Sequence, residues 1–100
     1  MKITRWTAQL DPKKEIILQM FQAEGLDGTE VTVEPGRKMA NMRTHMRETI
    51  QVLNGELIFN LSGTQFVLRP GDKLEMASNT TYSYSNLKND SCQFLTAHLI

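Results

Sequence analysis

From Thr29 onward the chain is a series of short apolar or alternating stretches, each stopped by a turn signal. This punctuation constrains the fold more than any other feature. Glu30–Glu34 alternates and stops at Pro35-Gly36, and Ile50–Leu53 stops at Asn54-Gly55, a pair suited to the positive φ angles of tight hairpins. Glu56–Leu61 runs into Ser62-Gly63-Thr64, Gln65–Leu68 runs into Arg69-Pro70-Gly71-Asp72, and Ser91–Ile100 reads as a last apolar strand. Short strands at this spacing, with no further helical period, predict an antiparallel β-sandwich or barrel.

The first 28 residues keep a different period. Asp11 ahead of Pro12 reads as a helix start, with the Asp11 carboxylate accepting from first-turn N–H groups and Pro12 at the first helical position. Ile16, Ile17, Met20 and Phe21 recur at three- and four-residue spacing, and Gly25 supplies the left-handed residue that ends the helix. Residues 2–7 suit a short strand. A chain of 100 residues holds one modest core. The expected organisation is therefore one domain over 1–100: a strand and an externally packed helix in 1–28, then an all-β barrel in 29–100.

Charge narrows the partners. Eleven Lys and Arg balance eleven Asp and Glu, so no net field draws the chain to nucleic acid or to an anionic membrane. No apolar run approaches the roughly 20 residues that span a bilayer, and Met1–Trp6 lacks the apolar stretch of a secretory leader, which predicts a cytoplasmic protein. The single Cys92 excludes an intramolecular disulfide and a multi-cysteine zinc site, and reads as a small buried hydrophobe.

The turn residues fall in a recognisable order. The cupin superfamily is marked by a first motif of glycine, two histidines, glutamate and glycine, and a second of glycine, proline, glycine, histidine and asparagine. Counted from Gly36, the two histidine slots fall on Met42 and Thr44, the glutamate slot on Glu48 and the closing glycine on Gly55. Counted from Gly71, the proline slot is Ala77, the second glycine slot Asn79, the histidine slot Tyr82 and the asparagine slot Asn86. Val52–Leu57 also resembles the turn-and-strand segment of small single-domain cupins. The resemblance covers residues 29–100 and implies a jelly-roll barrel whose mouth holds the ligand, often in a dimer made by exchange or pairing of edge strands.

Metal-bearing cupins hold a divalent ion with three histidines and the glutamate, and here none of the histidine slots holds histidine. Met42 offers a soft thioether, Thr44 a hydroxyl and Tyr82 a phenol that ionises near pH 10, leaving Glu48 as the one anionic donor. One carboxylate does not hold a hard cation against water. No metal and no cofactor are therefore expected. His45 lies beside a histidine slot and would need a bulge to turn inward; His98 reads as a surface or edge residue; Met39, Met42 and Met46 read as core filler rather than a copper set.

Positions 42, 44 and 48 share parity, so on one regular strand they face one side. Met42, Thr44, Glu48 and Tyr82 are the expected ligand-binding residues, with Thr44 and Tyr82 donating to Glu48, and Arg43 and Arg47 turned to solvent. The expected function is a metal-free binding or dimerisation module, a homodimer holding a small organic ligand in the barrel mouth, with no catalytic residue assigned. The alternative is an enzyme: an acid–base isomerase or epimerase-like catalyst using Glu48 and Tyr82, or a metal enzyme with relocated ligands.

Overall fold

The computed structural model describes residues 1–99. Its elements run β1 (Lys2–Thr4), α1 (Lys14–Ala23), β2 (Thr29–Val33), β3 (Lys38–Thr44), β4 (Arg47–Asn54), β5 (Leu57–Leu61), β6 (Thr64–Leu68), β7 (Lys73–Met76), β8 (Thr80–Ser85) and β9 (Cys92–Leu99). The strands form two antiparallel sheets, ordered β1-β7-β4-β9-β2 and β3-β8-β5-β6. This is the expected jelly-roll sandwich with one helix outside. The expected last strand extended to Ile100, which lies outside the described residues.

The larger sheet is apolar on both faces, and each face has its own cover. Ile50, Val52, Leu74, Met76, Cys92 and Phe94 turn inward and join Leu57, Phe59, Leu61, Tyr82 and Tyr84 of the other sheet in the main core. Leu53, Leu95 and Ala97 have the opposite parity and pack on Ile17, Phe21 and Leu26 of the helix and its exit. β4 is therefore buried continuously from Glu48 to Leu53.

The helix departs from expectation at its start. It begins at Lys14 with Lys13 as its cap, and no side chain bonds the first turn, so Asp11 is not the cap. Only Ile17 and Phe21 of the expected stripe are fully buried; Met20 keeps 40% of its surface in water. The C-terminus follows expectation. Gly25 adopts φ 73°, its N–H bonding Gln22 and the Leu26 N–H bonding Phe21, so two terminal carbonyls are satisfied.

Two polar residues fasten the loops. Asp72 accepts from Arg5 Nη1 at 2.7 Å, from the Trp6 N–H at 3.0 Å and from the Arg69 N–H at 3.0 Å, hanging the N-terminal segment on the β6–β7 turn. Burial opposes the Asp72 charge, yet the backbone and Arg5 donors hold its carboxyl below the usual range. Asn86 is fully buried, donates to the Val33 and Asp90 carbonyls and accepts from the Lys88 N–H.

Candidate functional site

The register of β4 builds one wall of the site. Glu48 pairs with Met76 of β7 on one side and with His98 of β9 on the other, so these three side chains share a rank at one end of the sheet. Parity fixes their direction. Cys92 and Phe94 face the core, so Thr96 and His98 continue inward, while Leu95, Ala97 and Leu99 belong to the helix side. Glu48 is 6% exposed. Its Oε2 accepts from Thr96 Oγ1 at 2.6 Å, and its Oε1 lies 3.3 Å from His98 Nε2. The His98 side chain keeps 46% of its surface in water, so the imidazole bridges carboxylate and solvent. A cleft of about 260 Å³ reaches Glu48 and Met76 between Leu26 and Leu99.

The opposite wall comes from the smaller sheet. Met42 pairs with Tyr82 and Thr44 with Thr80. A bulge at Asn41, with φ 56°, lets Met39 and Met42 both reach the core although they are three residues apart. Behind the mouth the barrel is filled by aromatic rings: Phe59 lies 5.9 Å from Tyr82, 5.5 Å from Tyr84 and 6.2 Å from Phe66. Tyr82 is pushed up to about 12, first by burial and then by the Glu48 charge, so its phenol is a neutral group at physiological pH. Burial likewise raises Tyr84, with Glu48 adding to it, and pushes the buried Cys92 thiol up to about 11.

Several sequence expectations need correction. Met42, Thr44 and Glu48 do not share a strand: the bend at His45-Met46 ends β3, and Glu48 belongs to the other sheet. Tyr82 feels the Glu48 charge across the barrel, but the donor to Glu48 is Thr96 of β9. Thr44 Oγ1 donates instead to the Met46 carbonyl. His98 is exposed, as expected of a surface residue, and its Nε2 also lies 3.3 Å from Glu48 Oε1. His45, Arg43 and Arg47 are exposed, the latter two as expected. Met39 and Met42 occupy separate ranks of the core and Met46 is exposed in the turn, so the three make no shared set.

Thr96, His98 and Met76 escaped the sequence reading. Phe94 carried a usable signal, since a strand residue in the core places its i+2 and i+4 neighbours inside. Leu95, Ala97 and Leu99 obscured it by making the other face equally apolar.

Comparison with known proteins fixes the family. The family model described as "Cupin domain" matches residues 29–98. This chain is a cupin. Among solved structures, the cupin domain of Schizosaccharomyces pombe Cnp3 superposes with a TM-score of 0.67 at 15% identity over 71% of this chain and 50% of its own. Drosophila melanogaster CENP-C bound to CAL1 gives 0.67 at 19% identity over 72% of this chain and 60% of its own. A cupin superfamily protein from Desulfitobacterium hafniense gives 0.66 at 11% identity over 99% of this chain and 76% of its own. This cupin thus spans only about half the length of the first of these chains, and identities this low speak for the fold alone. No curated protein matches it in sequence.

The metal that the family implies does not fit these residues. Among the described residues at the mouth, Glu48 and His98 are the ones that offer ionic or imidazole donors, and they already face each other. Two ligands fall short of the three or more with which proteins hold a divalent ion. The Tyr82 phenol keeps its proton and Thr44 spends its hydroxyl on Met46. Among the described residues no group of three or more His, Cys, Asp and Glu is placed to hold a metal.

Proposed function

We propose that this cupin binds a small organic ligand at the barrel end without a metal ion, and does so as a homodimer. The supporting observation is the Glu48 carboxylate, buried but oriented by Thr96 and His98, with the imidazole edge open to solvent. A few fixed polar groups against an apolar wall are what a small-molecule site requires. The reading takes Met42, Thr44 and Tyr82 as the opposing wall, supported by the Glu48 charge felt at Tyr82 and by the pairing of Met42 with Tyr82. The dimer is supported by the small core of a 100-residue barrel and by edge strands such as β2 and β6, whose free backbone groups pairing would satisfy. The cytoplasm is the proposed location.

Two measurements test the reading. Protein purified without chelator is expected to carry well under one equivalent of any transition metal by elemental analysis. In a small-molecule thermal-shift screen, hits are expected to lose their effect in His98→Ala. One equivalent of bound metal, or hits indifferent to His98 and Glu48, would overturn it. Light scattering checks the dimer, and a monomeric mass removes it.

A second reading has an observation of its own. An inward histidine beside a carboxylate and opposite a tyrosine is an acid–base arrangement, which supports isomerase- or epimerase-like chemistry with His98 as proton carrier, Glu48 orienting it and Tyr82 as a neutral acid. Turnover of a small polar substrate falling at least about 100-fold in His98→Gln and Tyr82→Phe, with binding retained, is the expected signature.

A further inference from the structure

We infer that the homodimer forms through one rim of the sandwich, with β2 of each copy laid beside β3 of the other. The inference rests on the homodimer proposed above and names the surface that makes it.

Charge order along the chain carries the argument. Residues 24–36 hold four acids and no Lys or Arg, and residues 37–47 hold four Lys and Arg and no acid, although the whole chain is neutral. The boundary between the two blocks is the turn from Glu34 to Arg37, where the Arg37 N–H bonds the Glu34 carbonyl and the chain reverses from β2 into β3. β2 is the edge strand of one sheet and β3 of the other, so this turn sets an acidic edge and a basic edge on the same rim, one in each layer. They do not neutralise each other within one chain. Val31 and Val33 of β2, like Met39 and Met42 of β3, turn to the core, so Glu30, Glu34, Lys38 and Arg43 point away from it on opposite outer faces. Lys38 and Arg43 form no ion pair among the described residues, and the one that Glu30 makes, with Lys14, is exposed on both sides.

Symmetry then supplies the partner. A two-fold axis parallel to the strands exchanges the layers and keeps outer faces outside, so it brings the acidic edge of each copy, antiparallel, against the basic edge of the other. Both contacts close at once, which gives a dimer and not a filament. The spacings match. Glu30 and Glu34 are four residues apart, about 13 Å along a strand. Lys38 and Arg43 pair with Ser85 and Thr81, also four apart, because the bulge at Asn41 absorbs the odd residue. Pairing β2 with β2, or β3 with β3, sets like charges together and is disfavoured. Val31, Met39 and Met42 are only half-buried in one copy, so the contact also covers apolar surface. The opposite rim lacks these features: β1 has three residues, and Arg5 already spans the gap there by donating to the Val67 carbonyl.

The test is charge reversal followed by mixing, read by sedimentation as mass against concentration. Lys38→Glu with Arg43→Glu makes both edges acidic, and Glu30→Lys with Glu34→Lys makes both basic. Each double variant is expected to dimerise at least about tenfold more weakly than the native chain. Mixed one to one, the two are expected to recover a heterodimer of near-native affinity, since each then meets its opposite at both contacts. All four side chains are exposed, and circular dichroism checks that the variants fold. In the native chain, raising NaCl from about 0.05 M to about 0.5 M is expected to weaken the dimer several-fold. Native affinity in either double variant, no recovery on mixing, or a native dimer indifferent to salt overturns this interface while the homodimer stands. A native chain that is monomeric throughout overturns both. The salt arm needs no variant, so it decides the matter even where one does not fold.

Discussion

Raising the pH tests the interior of the barrel directly. Tyr82 is 6% exposed as a residue and its phenol is held up to about 12, whereas in the unfolded chain it ionises near 10. Its folded pKa is raised, so its stabilising contribution is complete below pH 10 and is lost as pH climbs through 12. Two units correspond to about 3 kcal/mol in full, of which roughly 1.4 kcal/mol is already gone at pH 11. For a domain of this size that is a fall in Tm of roughly 5–10 °C between pH 8 and pH 11. Tyr84 and Cys92 shift in the same direction and add to the total. The informative quantity is therefore the difference between the native chain and Tyr82→Phe, each melted by circular dichroism at both pH values. The variant is expected to lose markedly less, and Glu48→Gln to fall between the two, since burial, the larger cause, survives while the neighbouring charge does not. Equal losses in the native chain and Tyr82→Phe would mean that Tyr82 is not enclosed beside Glu48, and the account of the site would fail with it.

Other consequences are equally concrete. Gly71 holds φ 89°, and a Cβ there would stand 2.6 Å from the Trp6 ring, so Gly71→Ala is expected to cost about 1–3 kcal/mol and to shift the emission of this single tryptophan to longer wavelength; unchanged fluorescence would contradict the packing. Asn86→Leu removes two donors and an acceptor from a fully buried loop and is expected to lower stability by about 3 kcal/mol or more in urea, visible as a lower midpoint. Asp72 has a depressed pKa, so its contribution is present above the unfolded carboxylate range and disappears as pH falls through the folded value. Asp72→Asn is expected to be less stable than the native chain at pH 6 and to show a shallower loss towards pH 2.

The fold was readable because turns and periods agree with it locally. Pro35-Gly36, Asn54-Gly55 and Pro70-Gly71 end strands where the structure turns, and the Schellman bonds at Gly25 close the helix where its period stops. Of the strands that escaped the first reading, β3 and β8 carry a weak pattern, whereas β7 alternates strictly but is only four residues long. Lys38–Thr44 contains a bulge, which breaks alternation, and Thr80–Ser85 is mostly hydroxylic. Their pairing is supplied by neighbours rather than by their own composition. The helix start misled for a related reason. Asp11 and Pro12 make a plausible cap by residue type, but the helix position is set by docking Ile17 and Phe21 onto β4 and β9, and that docking begins the helix at Lys14.

The site was half legible, and the missing half explains its chemistry. Slot counting names Met42, Thr44, Glu48 and Tyr82; Met42 pairs with Tyr82 and Tyr82 feels the Glu48 charge, while a part in binding is the proposal made above. What slot counting does not reveal is which groups hold Glu48 once the metal ligands are gone. A buried carboxylate without a cation requires donors, and here the donor is Thr96, with His98 Nε2 lying 3.3 Å from the other oxygen, both on a strand outside the two motifs. This supply has a physical logic. β9 is the one neighbour of β4 whose inward residues near Glu48 are polar, since the β7 neighbour is Met76. The Glu48 carboxylate is thereby oriented by the Thr96 hydroxyl and faces an imidazole that is charged only when protonated, while the phenol of Tyr82 that feels its charge from the other sheet is neutral.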